Sequence, residues 1–181
     1  AGKYGGAYNF SGRDKIAIAN SASLNITDNL TISLWIKRNN INIKNISAGG
    51  LHTCILTERG DTYCWGDNVF GELGTGDIIS SPLPKLVVGG NNFSSISAGF
   101  CHTCALNATG AAFCWGYNGD GACDYGEVGP GELGIGNGST NMPTPQEVLG
   151  GNNFSSISAG YYYTCAINTT GAAFCWGNNI V

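Results

Sequence analysis

Apolar residues occur along this chain in short runs that alternate with polar residues or are bounded by glycine. The clearest alternation is near the amino terminus, where Leu30, Ile32, Leu34 and Ile36 would share one face of an extended strand. The 29 glycines and the many β-branched and aromatic residues favour short strands joined by tight turns. The pattern therefore predicts an all-β protein.

Internal repetition is the strongest feature of the sequence. Residues 89–99 and 150–160 have the same sequence, GGNNFSSISAG. The segment NATGAAFCWG at 107–116 returns as NTTGAAFCWG at 168–177, and a more diverged copy runs from 46 to 68. Repeats of this length are typical of propellers and solenoids, in which each repeat is one structural unit.

Three tryptophans mark the phase of the repeats. Trp65 and Trp115 are 50 residues apart, whereas Trp115 and Trp176 are 61 apart. Most of the extra length is an insertion of ten residues between Asn118 and Gly131. We therefore expect the second repeat to carry a long additional loop.

Each repeat contains two cysteines ten residues apart, with a glycine one residue beyond their midpoint, at Gly60, Gly110 and Gly171. A three-residue hairpin loop needs a left-handed residue at that place, and glycine adopts this conformation without steric cost. The register then sets the two cysteines opposite each other, close enough for a disulfide worth about 2–3 kcal/mol. Two further cysteines occur only in the second repeat and are expected to pair with each other. The predicted disulfides are Cys54–Cys64, Cys104–Cys114, Cys165–Cys175 and Cys101–Cys123.

The repeats share the pattern ISAG-x-x-H-T-C-A-L…G…F-C-W-G-x-N…G-E-L-G-x-G…P…V. Over residues 46–181 this pattern resembles the regulator-of-chromosome-condensation repeat family, including the Gly-Glu-Leu-Gly segments at 71–74 and 131–134. The resemblance implies four-stranded propeller blades, which family members typically close into a ring of seven. About two and a half repeats are present here. Since a blade needs neighbours to bury its faces, we expect further blades, the amino-terminal part or another chain to cover them.

The first 45 residues are unlike the repeats. The segments 5–12, 23–26 and 31–36 resemble the opening of a laminin-G-like or concanavalin-A-like jelly roll. We therefore predict two parts, an incomplete jelly-roll-like β segment at 1–45 and a propeller-repeat domain at 46–181. About three strands cannot cover their own apolar face, so something else must complete this sheet. The strands expected to pair with a neighbour are Ala7–Phe10, Lys15–Ala19 and Leu30–Lys37.

Composition and charge favour an extracellular location. Eight cysteines are many for a reducing compartment, and nine Asn-x-Ser/Thr sequons are present. Eight basic residues and a net charge of −4 exclude the basic surface that nucleic-acid binding needs. No apolar run is long enough for membrane insertion. The predicted glycosylation sites are Asn9, Asn25, Asn29, Asn45, Asn92, Asn107, Asn137, Asn153 and Asn168.

Two motifs could carry metal or redox chemistry. Cys101 and Cys104 form a C-x-x-C, but Cys104 is also the hairpin cysteine, so we interpret the motif as structural. His52 and His102 occupy equivalent positions, where the third repeat has Tyr163. Two histidines alone make a poor zinc site, and we interpret them as partly buried hydrogen-bonding residues.

The insertion at 118–132 concentrates acidic residues among glycines. Asp120, Asp124 and Glu127, with Glu132 beyond them, make this loop a candidate calcium site, although its spacing differs from an EF-hand. The alternative is a solvated loop held by its disulfide. Motifs for nucleophilic, zinc-hydrolase or phosphate-binding chemistry are not found in the sequence, so we predict neither an enzyme nor any other cofactor.

These features favour a secreted structural protein. Our first hypothesis is a self-assembling filament or surface-appendage subunit, in which copies join head to tail by β-strand complementation. The alternative is a glycan- or protein-binding adhesin fragment of a larger cell-surface protein, with Tyr117, Tyr125 or residues 161–163 exposed at the site. The nucleotide-exchange and chromatin-binding role of the family's founding member fits neither the cystines nor the sequons.

Overall fold

A computed structural model describes most of the repeat region of the chain. The predicted amino-terminal strands and most of the inserted loop lie outside the described residues. The described residues are 42–89, 92–119, 123, 131–136, 141–150 and 153–178.

The described residues form eleven strands and no helix, so the predicted all-β fold is confirmed. Within these ranges there is accordingly no helix that could span a membrane. The first strand begins at Ile43, three residues before residue 46, where we predicted the propeller-repeat domain to start. The strands are β1 (Ile43–Ala48), β2 (His52–Thr57), β3 (Thr62–Gly66), β4 (Ser81–Leu86), β5 (Phe93–Ala98), β6 (His102–Asn107), β7 (Ala112–Gly116), β8 (Met142–Glu147), β9 (Phe154–Ala159), β10 (Tyr163–Asn168) and β11 (Ala173–Gly177).

Each repeat folds into one antiparallel sheet whose strands pair in chain order. Blade 1 is β1-β2-β3-β4, blade 2 is β5-β6-β7-β8, and blade 3 comprises the described strands β9-β10-β11. This is the blade architecture that the repeats predict. Since consecutive strands are neighbours, every blade is built almost entirely from local pairing.

The central hairpin of each blade has the predicted turn. Gly60, Gly110 and Gly171 have φ of 86°, 83° and 87°, the left-handed conformation that favours glycine. In each hairpin the two cysteines are direct cross-strand partners. The structure joins the eight cysteines in four pairs, Cys54–Cys64, Cys104–Cys114, Cys165–Cys175 and Cys101–Cys123.

The hydrophobic core lies between blades. We call the side of a blade that faces the next blade its leading face, and the opposite side its trailing face. Leu56 and Leu73 on the leading face of blade 1 pack with Phe93, Ile96 and Trp115 of blade 2. The same arrangement recurs between blades 2 and 3, where Leu106 and Leu133 pack with Phe154 and Trp176.

Candidate functional site

A hydrogen-bond relay links each blade to the next at the start of its second strand. His52 Nε2 lies 2.7 Å from Thr103 Oγ1, and Thr103 donates to the backbone oxygen of Glu72 at 2.9 Å. Because the threonine hydroxyl has a single hydrogen, the histidine must be the donor, which identifies the neutral Nε2–H tautomer. His102 and Thr164 repeat the arrangement at 2.9 Å between blades 2 and 3.

Burial keeps both imidazoles neutral. Loss of hydration lowers the pKa of His52 to about 4, against a smaller opposing effect of Asp67. Burial, with a smaller contribution from His52, lowers the pKa of His102 to about 3. In the part of the chain that the structure describes, the buried Nδ1 of His52 has no hydrogen-bond partner. Both histidines thus make hydrogen bonds between blades, as the sequence predicts, and they are more completely buried than expected.

The Gly-Glu-Leu-Gly segment is the second link between blades. The backbone oxygen of Glu72 also accepts a hydrogen bond of 2.8 Å from Trp115 Nε1. The side-chain carboxylate of Glu72 accepts a hydrogen bond of 2.9 Å from the amide of Phe70. Burial raises the pKa of this carboxyl group to about 7. Glu132 occupies the equivalent position, and its backbone oxygen accepts a hydrogen bond of 3.2 Å from Thr164 Oγ1, so it belongs to this link. It is only 1% exposed, so the expectation that it lies in a solvated loop is wrong.

A buried asparagine holds the segment in place, and our sequence analysis missed its importance. Asn68 is fully buried, donates to the backbone oxygen of Asp77 at 2.9 Å and accepts from the amide of Leu73 at 2.8 Å. Asn118 accepts from the amide of Leu133 at 3.3 Å in the second blade. The signal was present, because an asparagine follows each Trp-Gly pair by two residues.

The candidate calcium ligands Asp120, Asp124 and Glu127 lie outside the described residues. Within the described ranges, no three histidine, cysteine or acidic side chains lie close enough together to hold a metal ion. Calcium binding by the insertion thus stays a prediction. Between residues 120 and 130 the structure describes Cys123, which a disulfide with Cys101 ties to blade 2.

Two apolar blade faces are not covered by the described residues. On the leading faces, Leu56 and Leu106 are 0% and 2% exposed, whereas the equivalent Ile167 of blade 3 is 46% exposed. On the trailing faces, Ile96 of blade 2 is 5% exposed, whereas Ile46 of blade 1 is 48% exposed. Among the described residues, the buried positions pack against a neighbouring blade, whereas Ile167 and Ile46 do not.

Aromatic rings cluster at the loop ends of blades 2 and 3. Phe100 stacks on Tyr161 with ring centroids 4.0 Å apart, and Tyr162 meets Tyr161 edge-on at 4.3 Å. We call Phe100, Tyr161 and Tyr162 the aromatic cluster. Tyr161 is 44% exposed, so the cluster offers a partly open aromatic surface.

Other aromatic residues proposed for a binding surface lie elsewhere. Tyr117 is 4% exposed and packs edge-on against Phe70 at 5.1 Å, so the expectation that it is exposed is wrong. Tyr163 lies on β10 and is 50% exposed. It occupies the position of His52 and His102, which the next blade covers. Tyr125 lies outside the described residues.

Comparison with known sequences matches the blade geometry. Residues 43–72, 93–122 and 154–180 each match the regulator of chromosome condensation (RCC1) repeat. A second description of this repeat matches residues 59–106, so that the matches together span more than half of the chain. The chain belongs to the RCC1-repeat family. The jelly-roll resemblance of residues 1–45 remains a prediction.

RCC1 relatives are much longer than this chain. The ultraviolet-B receptor UVR8 of Arabidopsis thaliana is 34% identical over 141 residues, which are 77% of this chain and 30% of UVR8. The structure of Prp20p from Saccharomyces cerevisiae aligns with a TM-score of 0.62 and 26% identity, covering 75% of this chain and 33% of Prp20p. The ectodomain of the Physcomitrella patens receptor kinase CR4 aligns with a TM-score of 0.51 and 22% identity, covering 83% of this chain and 34% of that one. The chain thus spans about a third of these proteins.

Proposed function

We propose that this chain is a secreted, non-enzymatic structural protein whose copies assemble head to tail through their blade faces. The observation that carries the proposal is the pair of apolar faces centred on Ile167 and Ile46. The equivalent residues at the interfaces between blades, Leu56, Leu106 and Ile96, are buried. Covering the exposed half of one isoleucine side chain would contribute about 1 kcal/mol. Each of these faces therefore favours contact with a further blade, and another copy of this chain can supply one.

The two faces are complementary because they are of the two kinds that already pack together within the chain. A leading face meets a trailing face at both internal interfaces. The leading face of blade 3 in one copy can accordingly accept the trailing face of blade 1 in another. A contact between two different surfaces propagates into a filament or closes into a ring. The predicted amino-terminal strands would add a second contact by joining a neighbour's sheet.

An extracellular location is part of this proposal. Four disulfides persist best in an oxidising environment. The fold is compatible with such an environment, since the ectodomain of CR4 has a similar fold. The receptor role named for UVR8 belongs to that protein, of which this chain spans 30%.

The test is a charge placed on one open face. We expect the full 181-residue chain to form regular assemblies in negative-stain microscopy and concentration-dependent species in sedimentation velocity. Ile167→Glu should abolish them, because a carboxylate would be buried at the interface. The matched control is Ile79→Glu, which alters a 65% exposed isoleucine in the β3–β4 connection. A wild-type chain that stays monomeric at high concentration would contradict the proposal, as would identical behaviour of both variants.

A second candidate function follows from the aromatic cluster. The exposed ring of Tyr161 combines apolar surface with a polar hydroxyl, which suits contact with sugar rings. In this role the chain would be the glycan-binding part of a larger adhesin. A glycan array probed with the wild-type chain and with Tyr161→Ala tests it. Binding that requires Tyr161 supports the adhesin, and an array without binding rejects it.

A further inference from the structure

The turns of two blade hairpins share an arrangement of side chains that the first blade lacks. Asn107 Oδ1 accepts three hydrogen bonds, from the amide of Thr109 at 2.9 Å, its hydroxyl at 2.7 Å and the amide of Ala111 at 2.9 Å. In blade 1 the equivalent residue is Thr57, whose hydroxyl accepts from the amide of Asp61 at 3.0 Å. Asparagine and threonine thus both supply a side-chain oxygen that accepts the equivalent backbone hydrogen bond in this turn.

The third blade repeats the arrangement of the second. Asn168 Oδ1 accepts from the amide of Thr170 at 3.0 Å, from its hydroxyl at 2.8 Å and from the amide of Ala172 at 2.8 Å. Both threonines are exposed, whereas both asparagines are half-buried. All of these hydrogen bonds are accepted by the amide oxygen Oδ1, and none of them involves the amide nitrogen Nδ2. Among the described residues, neither Nδ2 donates a hydrogen bond to the protein.

We propose that Asn107 and Asn168 carry N-linked glycans. Each begins an Asn-x-Thr sequon. A sugar on Nδ2 replaces one amide hydrogen and leaves Oδ1 free to keep all three turn hydrogen bonds. The folded hairpin is therefore compatible with the modification.

The step needs a lipid-linked oligosaccharide donor and a transferase of the secretory pathway. Nδ2 attacks the anomeric carbon of the first sugar and forms the N–C bond. The bond between that carbon and the pyrophosphate oxygen breaks, and the lipid pyrophosphate departs with the electron pair. The proton lost from Nδ2 passes to a base of the transferase, so the exchange is balanced without oxidant or reductant.

Two other sequons are in a different situation. Asn92 and Asn153 have φ of 45° and 35° and precede strands whose first amides bond to the hairpin turn of the previous blade. The amide of Phe93 donates to Gly60 at 3.3 Å, and that of Phe154 to Gly110 at 2.7 Å. At both sites it is the backbone that contacts the neighbouring turn, and the asparagines themselves are exposed. These contacts give no evidence for or against a glycan on either side chain. The proposal is therefore confined to the two turn asparagines.

Glycans at these turns would give the row of blades two unlike ends. Both turns connect the second and third strands of their blades, whereas the aromatic cluster lies in the connections between the first and second strands. In an antiparallel sheet these connections are at opposite ends. The glycans would then shield the hairpin end and leave the aromatic cluster and the open blade faces accessible.

Peptide mapping of the secreted full-length chain tests the proposal, which rests on the extracellular location proposed above. Enzymatic release of N-glycans in H₂¹⁸O should convert Asn107 and Asn168 to ¹⁸O-labelled aspartate. Asn107→Asp and Asn168→Asp keep the acceptor oxygen but lose Nδ2, so each should remove one glycan mass while the circular dichroism spectrum is unchanged. Thr109→Ser keeps both the sequon and the hydroxyl and should remain modified.

Secreted chain with unmodified Asn107 and Asn168 would overturn the glycan proposal. The assembly measurement separates this failure from failure of the proposed function. An unmodified chain that assembles rejects only the glycans, whereas a modified chain that stays monomeric rejects only the assembly.

Discussion

At the scale of single residues, His52 and His102 show that a neighbouring blade determines the chemistry of a side chain. Each donates through Nε2 to a threonine of the next blade and is almost completely buried. Protonation would add a hydrogen at Nδ1 and place a charge in a buried site. The relay is therefore stable only while the imidazoles are neutral.

Acid should weaken the blade interfaces. Both histidines have a folded-state pKa below the usual value of 6.5, so the unfolded chain binds more protons below that pH. Stability is then present above pH 6.5 and is lost as the pH falls toward 4, by at most about 1.4 kcal/mol per pH unit for each histidine. Urea unfolding of wild type and His52→Gln at pH 7.0 and 5.0 measures this.

Glutamine keeps an Nε2–H donor but does not titrate, so His52→Gln should lose less stability between the two pH values than the wild type does. Equal losses would show that His52 does not control the acid response.

At the scale of elements, the Gly-Glu-Leu-Gly segment fastens one blade to the next. Gly74 has φ of 67°, and a Cβ there would lie 2.7 Å from Trp115 Nε1 and 3.0 Å from a methyl group of Val87. Gly76 has a similar φ of 82°, but its Cβ would meet only Val88 and Thr144 at ordinary contact distances. The two glycines share a left-handed backbone conformation, which would strain any other residue to a similar degree, and they differ in packing.

Gly74→Ala should therefore destabilise the chain more than Gly76→Ala, by roughly 1–3 kcal/mol, because the added methyl group displaces the indole of Trp115. Chemical denaturation followed by tryptophan fluorescence measures both variants. If they lose the same stability, the close approach of Trp115 to this segment does not contribute to blade packing.

At the scale of the whole molecule, the stability of a row of blades comes from its interfaces as well as from each blade. The Cys54–Cys64 and Cys104–Cys114 disulfides are fully buried by the next blade. In blade 3, Cys165 is half-buried and Cys175 is exposed. The same bond is thus shielded in two blades and accessible in the third.

Reduction should follow this difference. In dilute chain, the Cys165–Cys175 disulfide should react with thiol reductant before the other two hairpin disulfides, because exchange requires access to sulfur. Assembly through the leading face of blade 3 should then slow it. Timed alkylation with mass spectrometry reports each pair. Uniform reduction of all three would argue against the burial pattern, and no protection in assemblies would argue against a contact at this face.

Local features of the sequence determine the blades themselves. Glycine one residue beyond the midpoint of each cysteine pair sets the hairpin register, and the register brings the cysteines together. Strand number and order follow from the repeats, because each blade pairs strands that are adjacent in the chain. These features depend on residues close together in sequence, and a pattern shows them directly.

Only the tertiary structure decided what the neighbouring blade does to each repeat. His52 meets Thr103 across 51 residues, and His102 meets Thr164 across 62. The burial of Glu132, expected in a solvated loop, and of Tyr117, expected on the surface, arises in the same way. Equivalent residues such as Leu106 and Ile167 have nearly the same chemistry but opposite exposure. Burial depends on which surface lies opposite, and this is a property of distant packing that local pattern does not contain.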